Sequence, residues 1–342
     1  MASKVKKTVS GLAKFRRREY HNTWIRPGVR ILPTVVTHRW DRVPAAMSKG
    51  CCALRRHPQF WNNRVKVHEY TSTNMTISYR SPNGQNSSMG ILLIGHGTRD
   101  PVGIAEFFRV VEQMRKLAGE VMVEPSFLEL AEPSIADGFA ALVHQRVQQI
   151  TAMPVLLFSA GHAKHDIPAA LSSAQSAFPQ VSIAQTDPLE CHPLLLQLSA
   201  ERFWEVANGQ NPTDIEWIFV GRGSKDPAAQ AKVREFAAAR AKITPVGNYH
   251  VAYVAEAEAK LVDALEQAVS SPFSTIVVQP HLLFHGEVLS EIQHHVADFR
   301  NRFPVKTWLV TDHLGPASKV AEVLWERFVE LINRSRKPEK TR

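Results

Sequence analysis

Three titratable side chains of this 342-residue chain stand at equal intervals: His96, Glu129 and His162, each 33 residues from the next. Two imidazoles and a carboxylate form a donor set that can hold a divalent first-row metal ion while leaving coordination positions open for a reacting partner. The same groups can accept protons near neutral pH. Each also has an ordinary explanation, since a histidine after a strand often serves a turn or packing and Glu129 could be a plain strand-end carboxylate. What separates the two readings is where the elements of the fold place these residues.

His96 sits between two glycines in "GILLIGHGTRDP", directly after an apolar run. The runs at 91–95, 121–130, 154–161 and 181–185 predict buried strands, and residues 104–117, 135–151 and 168–178 predict helices. Pro168 suits a first helical turn, with Asp166 expected as the cap before it. Strand, helix, strand in this order predicts a parallel α/β sheet with helices on both faces, a three-layer unit. In such a sheet ligands gather beyond the carboxyl ends of the strands, and His96, Glu129 and His162 all fall there.

The same texture runs twice. "VGRGSKDP" (220–227) lies on "IGHGTRDP" (94–101) at an offset of 126, and the ungapped register places Tyr253 on Phe127, Asp263 on Asp137, Pro280 on Pro154 and Phe284 on Phe158. The chain therefore divides into halves at 89–209 and 213–333, followed by a basic tail, 334–342. Glycines, Asp-Pro and apolar strands occur in both copies and read as scaffold. The three titratable residues do not: in this register His96 becomes Arg222, Glu129 becomes Ala255 and His162 becomes Val288. Their joint loss favours function over packing. Nearby, Lys164 and His165 are candidate contacts for an anionic substrate. Glu132 recurs as Glu258 and reads as structural, His192 as a helix-start residue and Cys191 as a buried thiol. His281, His285 and Glu287 read as a wall of the cleft between the halves.

The formal charge of +9 is unevenly placed: residues 1–88 hold 17 Lys and Arg against 3 Asp and Glu, and the remainder 24 against 29. Basicity thus gives no argument for nucleic-acid binding by the main body. Residues 1–88 are expected to be a poorly ordered basic extension, a targeting or nucleic-acid arm being the functional alternative, and Met89 stands where a later start would fall. No apolar run approaches the roughly 20 residues that span a bilayer. Three cysteines without a CxxC spacing make neither a disulfide framework nor a structural zinc site, so a cytoplasmic protein is expected.

"LLIGHGTRDP", "SFLELAEPSIADG" and "PVLLFSAGHAKHDIP", followed by "DPLECHPLL", resemble the sirohydrochlorin chelatases of the class II chelatase superfamily. The resemblance runs through nearly all of 89–333, because the long bacterial form also has a second half opening on "VGRGS". It implies two tandem flavodoxin-like domains with a cleft between them that holds a tetrapyrrole. Carried over, the metal-binding and catalytic residues are His96, Glu129 and His162, giving one active site per chain. The implied reaction inserts a divalent metal into sirohydrochlorin with loss of two pyrrole protons and no nucleotide. The metal is a substrate, and no prosthetic group is expected. Cobalt is favoured because the long form resembles the cobalt-inserting enzymes, and iron is the alternative. A metal or tetrapyrrole carrier is the reading of another class. The anionic macrocycle implies orienting contacts from Arg99, Lys164, Arg222 and His285. One chain supplies both walls of the cleft, so a monomer suffices, with neither membrane nor nucleic acid as partner.

Overall fold

The first copy, in a computed structural model that describes residues 88–158 and 162–335, with the backbone alone at 162 and 163, opens on β1 (Met89–Gly95) and α1 (Pro101–Ala118). It continues through β2 (Met122–Phe127), α2 (Ile135–His144), β3 (Gln149–Pro154), α3 (Ile167–Ala177), β4 (Ser182–Gln185) and α4 (Pro193–Ala207). The second copy repeats this as β5 (Ile215–Gly221), α5 (Pro227–Ile243), β6 (Asn248–Tyr253), α6 (Leu261–Val269), β7 (Thr275–Pro280), α7 (Glu287–Arg302), β8 (Thr307–Val310) and α8 (Ser318–Ser335). All but the last residue of the 1–88 extension, together with Cys51, Cys52 and residues 336–342 of the tail, lie outside the described residues. Among the described residues no helix is long and apolar enough to cross a membrane.

Each copy makes one parallel four-stranded sheet, ordered β2-β1-β3-β4 and β6-β5-β7-β8. The repeat extends to hydrogen-bond register, since Gly95 pairs with Phe127 and Gly221 with Tyr253. Ile91, Leu92, Leu93 and Ile94 are all fully buried because helices cover both faces of the sheet, which is why β1 reads as an unbroken apolar run. The recurring Asp-Pro starts a helix in both copies: Asp100 Oδ1 accepts from the Val102 N–H at 2.8 Å, and Asp226 Oδ1 from the Ala228 N–H at 2.9 Å.

Helix α2 begins with a capping box in which Ser134 Oγ accepts from the Asp137 N–H and the Asp137 carboxylate accepts from the Ser134 N–H. Replacing Ser134 with alanine removes the Oγ that accepts from the Asp137 N–H and donates to its carboxylate, at the end of the loop that carries Glu129. The expected cost is about 1 kcal/mol of stability, read as a lower urea midpoint at unchanged slope.

Two local expectations are corrected. The third strand is Gln149–Pro154, not 154–161, and α2 ends at His144. "VLLF" is apolar for another reason: Val155 is buried and Leu157 and Phe158 pack into the core shared by the two halves. Asp166 stands at the cap position of α3 but is itself helical, without a side-chain cap bond, because a π-helical turn at His162–Asp166 already leads into the helix.

The turn and α3 together cover 162–177, and α7 covers 287–302, an offset of 125 instead of 126. The segment after β7, 281–286, is one residue shorter than 155–161. Helix register therefore sets Glu287, not Val288, at the place of His162.

Outside sheet one, α2 and α3 cover Leu92, Ile94 and Ile150 with Phe139, Leu142 and Leu171. Outside sheet two, α6 and α7 cover Ile218, Val220 and Val278 with Leu265 and Ile292. Between the sheets lies one continuous core in which the last helices are exchanged: α8 packs on α1, and α4 packs on α5 and against β7 and β8. Gln279 Nε2 donates to the Ser199 carbonyl of α4 at 2.7 Å, and the buried Arg240 guanidinium lies 5.4 Å from the Phe203 ring and 5.5 Å from that of Trp217. From α1, Gln113 Nε2 donates to the Pro316 carbonyl before α8 at 2.9 Å. The halves thus share a helical layer instead of each closing alone.

Candidate active site

Since β1 lies between β2 and β3, the loops that follow these three strands are neighbours along one edge of sheet one. Backbone pairing continues past the strands: the Leu128 N–H donates to the Gly95 carbonyl at 2.9 Å and the Glu129 N–H to the His96 carbonyl at 3.1 Å. This brings His96 Nε2 to 3.6 Å from Glu129 Oε1, with the two side chains 27% and 47% exposed. The approach requires Gly97, whose φ is +100° and where a Cβ would stand 1.7 Å from the Glu129 carbonyl oxygen. The second copy makes the same bend, with Gly223 at φ +105° against the Ala255 carbonyl and the Ala255 N–H bonded to the Arg222 carbonyl at 2.9 Å. Its bend carries Arg222 and Ala255, so neither His96 nor Glu129 is needed to form it.

His162 opens the π-helical turn beyond β3, the third loop of this edge. Single π turns inserted at helices recur at functional sites. Among the described residues no third His, Cys, Asp or Glu side chain joins His96 and Glu129 in a metal-holding group. An apolar groove of about 380 Å³ between α2 and α3, bordered by Leu128, Ile135 and Phe178, lacks titratable lining.

Arg99 and Arg222 are exposed. Lys164 Nζ lies 3.8 Å from Asp226 Oδ2, reaching from the first copy to the cap of α5. The converse contact runs from the second copy to the cap of α1, where His285 Nδ1 is 2.8 Å from Asp100 Oδ2. That hydrogen bond holds the Asp100 carboxyl below the usual carboxylate range. His165 is exposed. His192 caps α4 through Nδ1 and reaches Glu326 with Nε2 at 3.2 Å. Cys191 is half-buried instead of buried, and desolvation raises its thiol pKa.

His281 forms no cleft wall. It is 3% exposed, with ring centroids 5.3, 4.9 and 4.2 Å from those of Phe158, Phe219 and Phe236, and burial lowers its pKa to about 3. Two residues of the interface between the halves escape the sequence reading, Glu106 and His313. Buried Glu106 receives His313 Nε2 at 2.9 Å and the His285 N–H at 2.8 Å on the same carboxylate oxygen. Lys232 occupies the place of Glu106 in the second copy, a difference between copies that marks it.

Fold and edge together define the class: a tandem parallel α/β protein with a His–Glu pair presented at the carboxyl edge of one copy and absent from the other. The chain belongs to the CbiX family, whose model matches residues 90–206 and 216–331, one match in each half. It is 28% identical over 243 residues to a sirohydrochlorin ferrochelatase of Priestia megaterium, covering 71% of this chain and 90% of that one. It is 24% identical over 249 residues to a sirohydrochlorin cobaltochelatase of the same organism, covering 72% of this chain and 81% of the relative. SirB from Bacillus subtilis with Fe3+ superimposes with a TM-score of 0.67 at 27% identity, over 72% of this chain and 97% of SirB. The tandem chelatase-like architecture expected from the resemblance is the one observed.

Proposed function

We propose that the chain inserts a divalent ion, Co2+ or Fe2+, into sirohydrochlorin, with His96, Glu129 and His162 as the residues that hold the ion and carry the reaction. Relatives named for each ion support the chemistry. The observation that carries the site is the convergence of His96 and Glu129 on a bend that the second copy builds without them. Neutral imidazole and carboxylate bind either ion while a three-ligand site keeps an open face. As ring nitrogens take over the ion, the released imidazole and carboxylate accept the two pyrrole protons. One ion enters the macrocycle, two protons leave, and no nucleotide is consumed.

The purified full chain mixed with sirohydrochlorin and either ion should metallate it faster than the uncatalysed mixture, followed by its absorption spectrum. A rate no greater than that of the protein-free mixture sinks the proposal. Arg99, Lys164 and Arg222 are assigned to the carboxylates of the macrocycle. Exchanging any one for glutamine should raise KM by about 2- to 5-fold at low ionic strength, the worth of an exposed ion pair, with kcat unchanged and the difference fading in high salt. An unchanged KM at low salt removes that residue from the contact set.

A further inference from the structure

We infer that His285, contributed by the copy that lacks the metal-holding pair, is a positioning residue for His96 and Glu129. The inference rests on the metal site proposed above. His285 Nδ1 meets Asp100 Oδ2 at 2.8 Å, while the other oxygen of Asp100 caps α1 and the Asp100 N–H donates to Thr98 Oγ1 at 3.1 Å. Asp100 thereby ties Thr98 to the first turn of α1, two residues beyond His96, and His285 holds Asp100 from across the interface. The segment bearing His285 is itself pinned. Its backbone N–H donates to Glu106 at 2.8 Å, Glu106 is held in turn by His313 at 2.9 Å, and its carbonyl lies so near Gly103 that a Cβ there would approach it to 2.3 Å.

A second path runs through aromatic rings. Phe284 stands edge-on to Phe107 at 6.1 Å, and Phe107 packs on Phe127 at 4.6 Å. Phe107 also touches the face of Gly95, where a Cβ would meet its ring at 3.0 Å. Gly95 precedes His96, and Phe127 stands two residues before Glu129, so one short segment of the second copy braces both. A group that orients ligands through others changes metal affinity or turnover by about 10- to 100-fold when removed. The degenerate copy therefore braces the metal site without touching it.

The test uses the full chain and Co2+ alone, read from the visible spectrum of the protein-bound ion, beside insertion kinetics. His285→Ala should weaken Co2+ binding and lower kcat, each by about 10- to 100-fold, with KM for sirohydrochlorin unchanged. His285→Leu, which fills the volume, should match it, and His285→Asn, whose Nδ2 takes the place of Nδ1 and can still donate to Asp100, should recover most of the loss. Unchanged Co2+ binding with a raised KM would instead assign the ring to the substrate and overturn the proposal, as would Ala and Leu variants that bind and turn over like wild type. A wild-type chain whose Co2+ spectrum depends on His96 but which inserts nothing defeats the proposed activity alone, and the Co2+ arm still decides the role of His285.

Discussion

Replacement of His96 by alanine lowers kcat/KM for metal insertion by about 10³-fold or more and leaves the stability of the chain within about 0.5 kcal/mol of wild type. The two halves of this expectation come from different observations. Losing one of the three ligands proposed above should remove more than the loss of a group that merely orients one, which itself costs about 10- to 100-fold. Stability is spared because Arg222 occupies the same bend between Gly221 and Gly223, so the backbone does not depend on the imidazole. Glu129→Gln should behave alike, since Ala255 fills its place, and His162→Ala should lose activity to a similar degree. Steady-state kinetics and urea unfolding measured on the same preparations check both halves. A loss below 10-fold, or a fall in stability that accounts for the lost activity, removes His96 from the metal site.

Acid weakens the fold through His281. Its pKa in the folded chain is about 3 because it is sealed among phenylalanine rings, and neither ring nitrogen has a hydrogen-bond partner among the described residues. The unfolded chain gains a proton here below about pH 6.5 that the folded chain refuses, so stability is full above that pH and declines as pH falls. The slope is about 1.4 kcal/mol per pH unit, or about 2 kcal/mol lost by pH 5, and the decline ends near pH 3 when the folded state protonates too. His281→Phe should abolish this share of the acid sensitivity and raise stability at pH 7 by roughly 1 to 3 kcal/mol, because two desolvated ring nitrogens disappear. Val155 at the corresponding place shows that an apolar side chain suits this strand end. Urea titrations of both proteins at pH 7 and pH 5 give the comparison. Equal pH dependence in the two would refute the assignment.

The internal repeat made much of the fold legible. A single offset links both bends, both Asp-Pro helix starts and three strands of each sheet, because these depend on contacts within one βα unit. It also singled out His96 and Glu129 by their replacement in the second copy. The apolar run misled at the third strand, where Val155, Leu157 and Phe158 lie in the core between the sheets instead of forming strand. The ungapped comparison likewise set Val288 against His162, whereas one residue fewer after β7 brings Glu287 there.

By itself the sequence determined the two α/β units, the glycine bends after β1 and β5 and the residues carried on them, since periodicity, glycine bends and caps are properties of short segments. Only the tertiary structure decided that α4 and α8 change places, that His281 is core, and that His285 grips Asp100 across the interface. Such pairs stand far apart in the chain, His285 from Asp100 by 185 residues. Local pattern carries no information about partners at that separation. They meet only because the apolar inner faces of two sheets are buried together against one shared layer of helices.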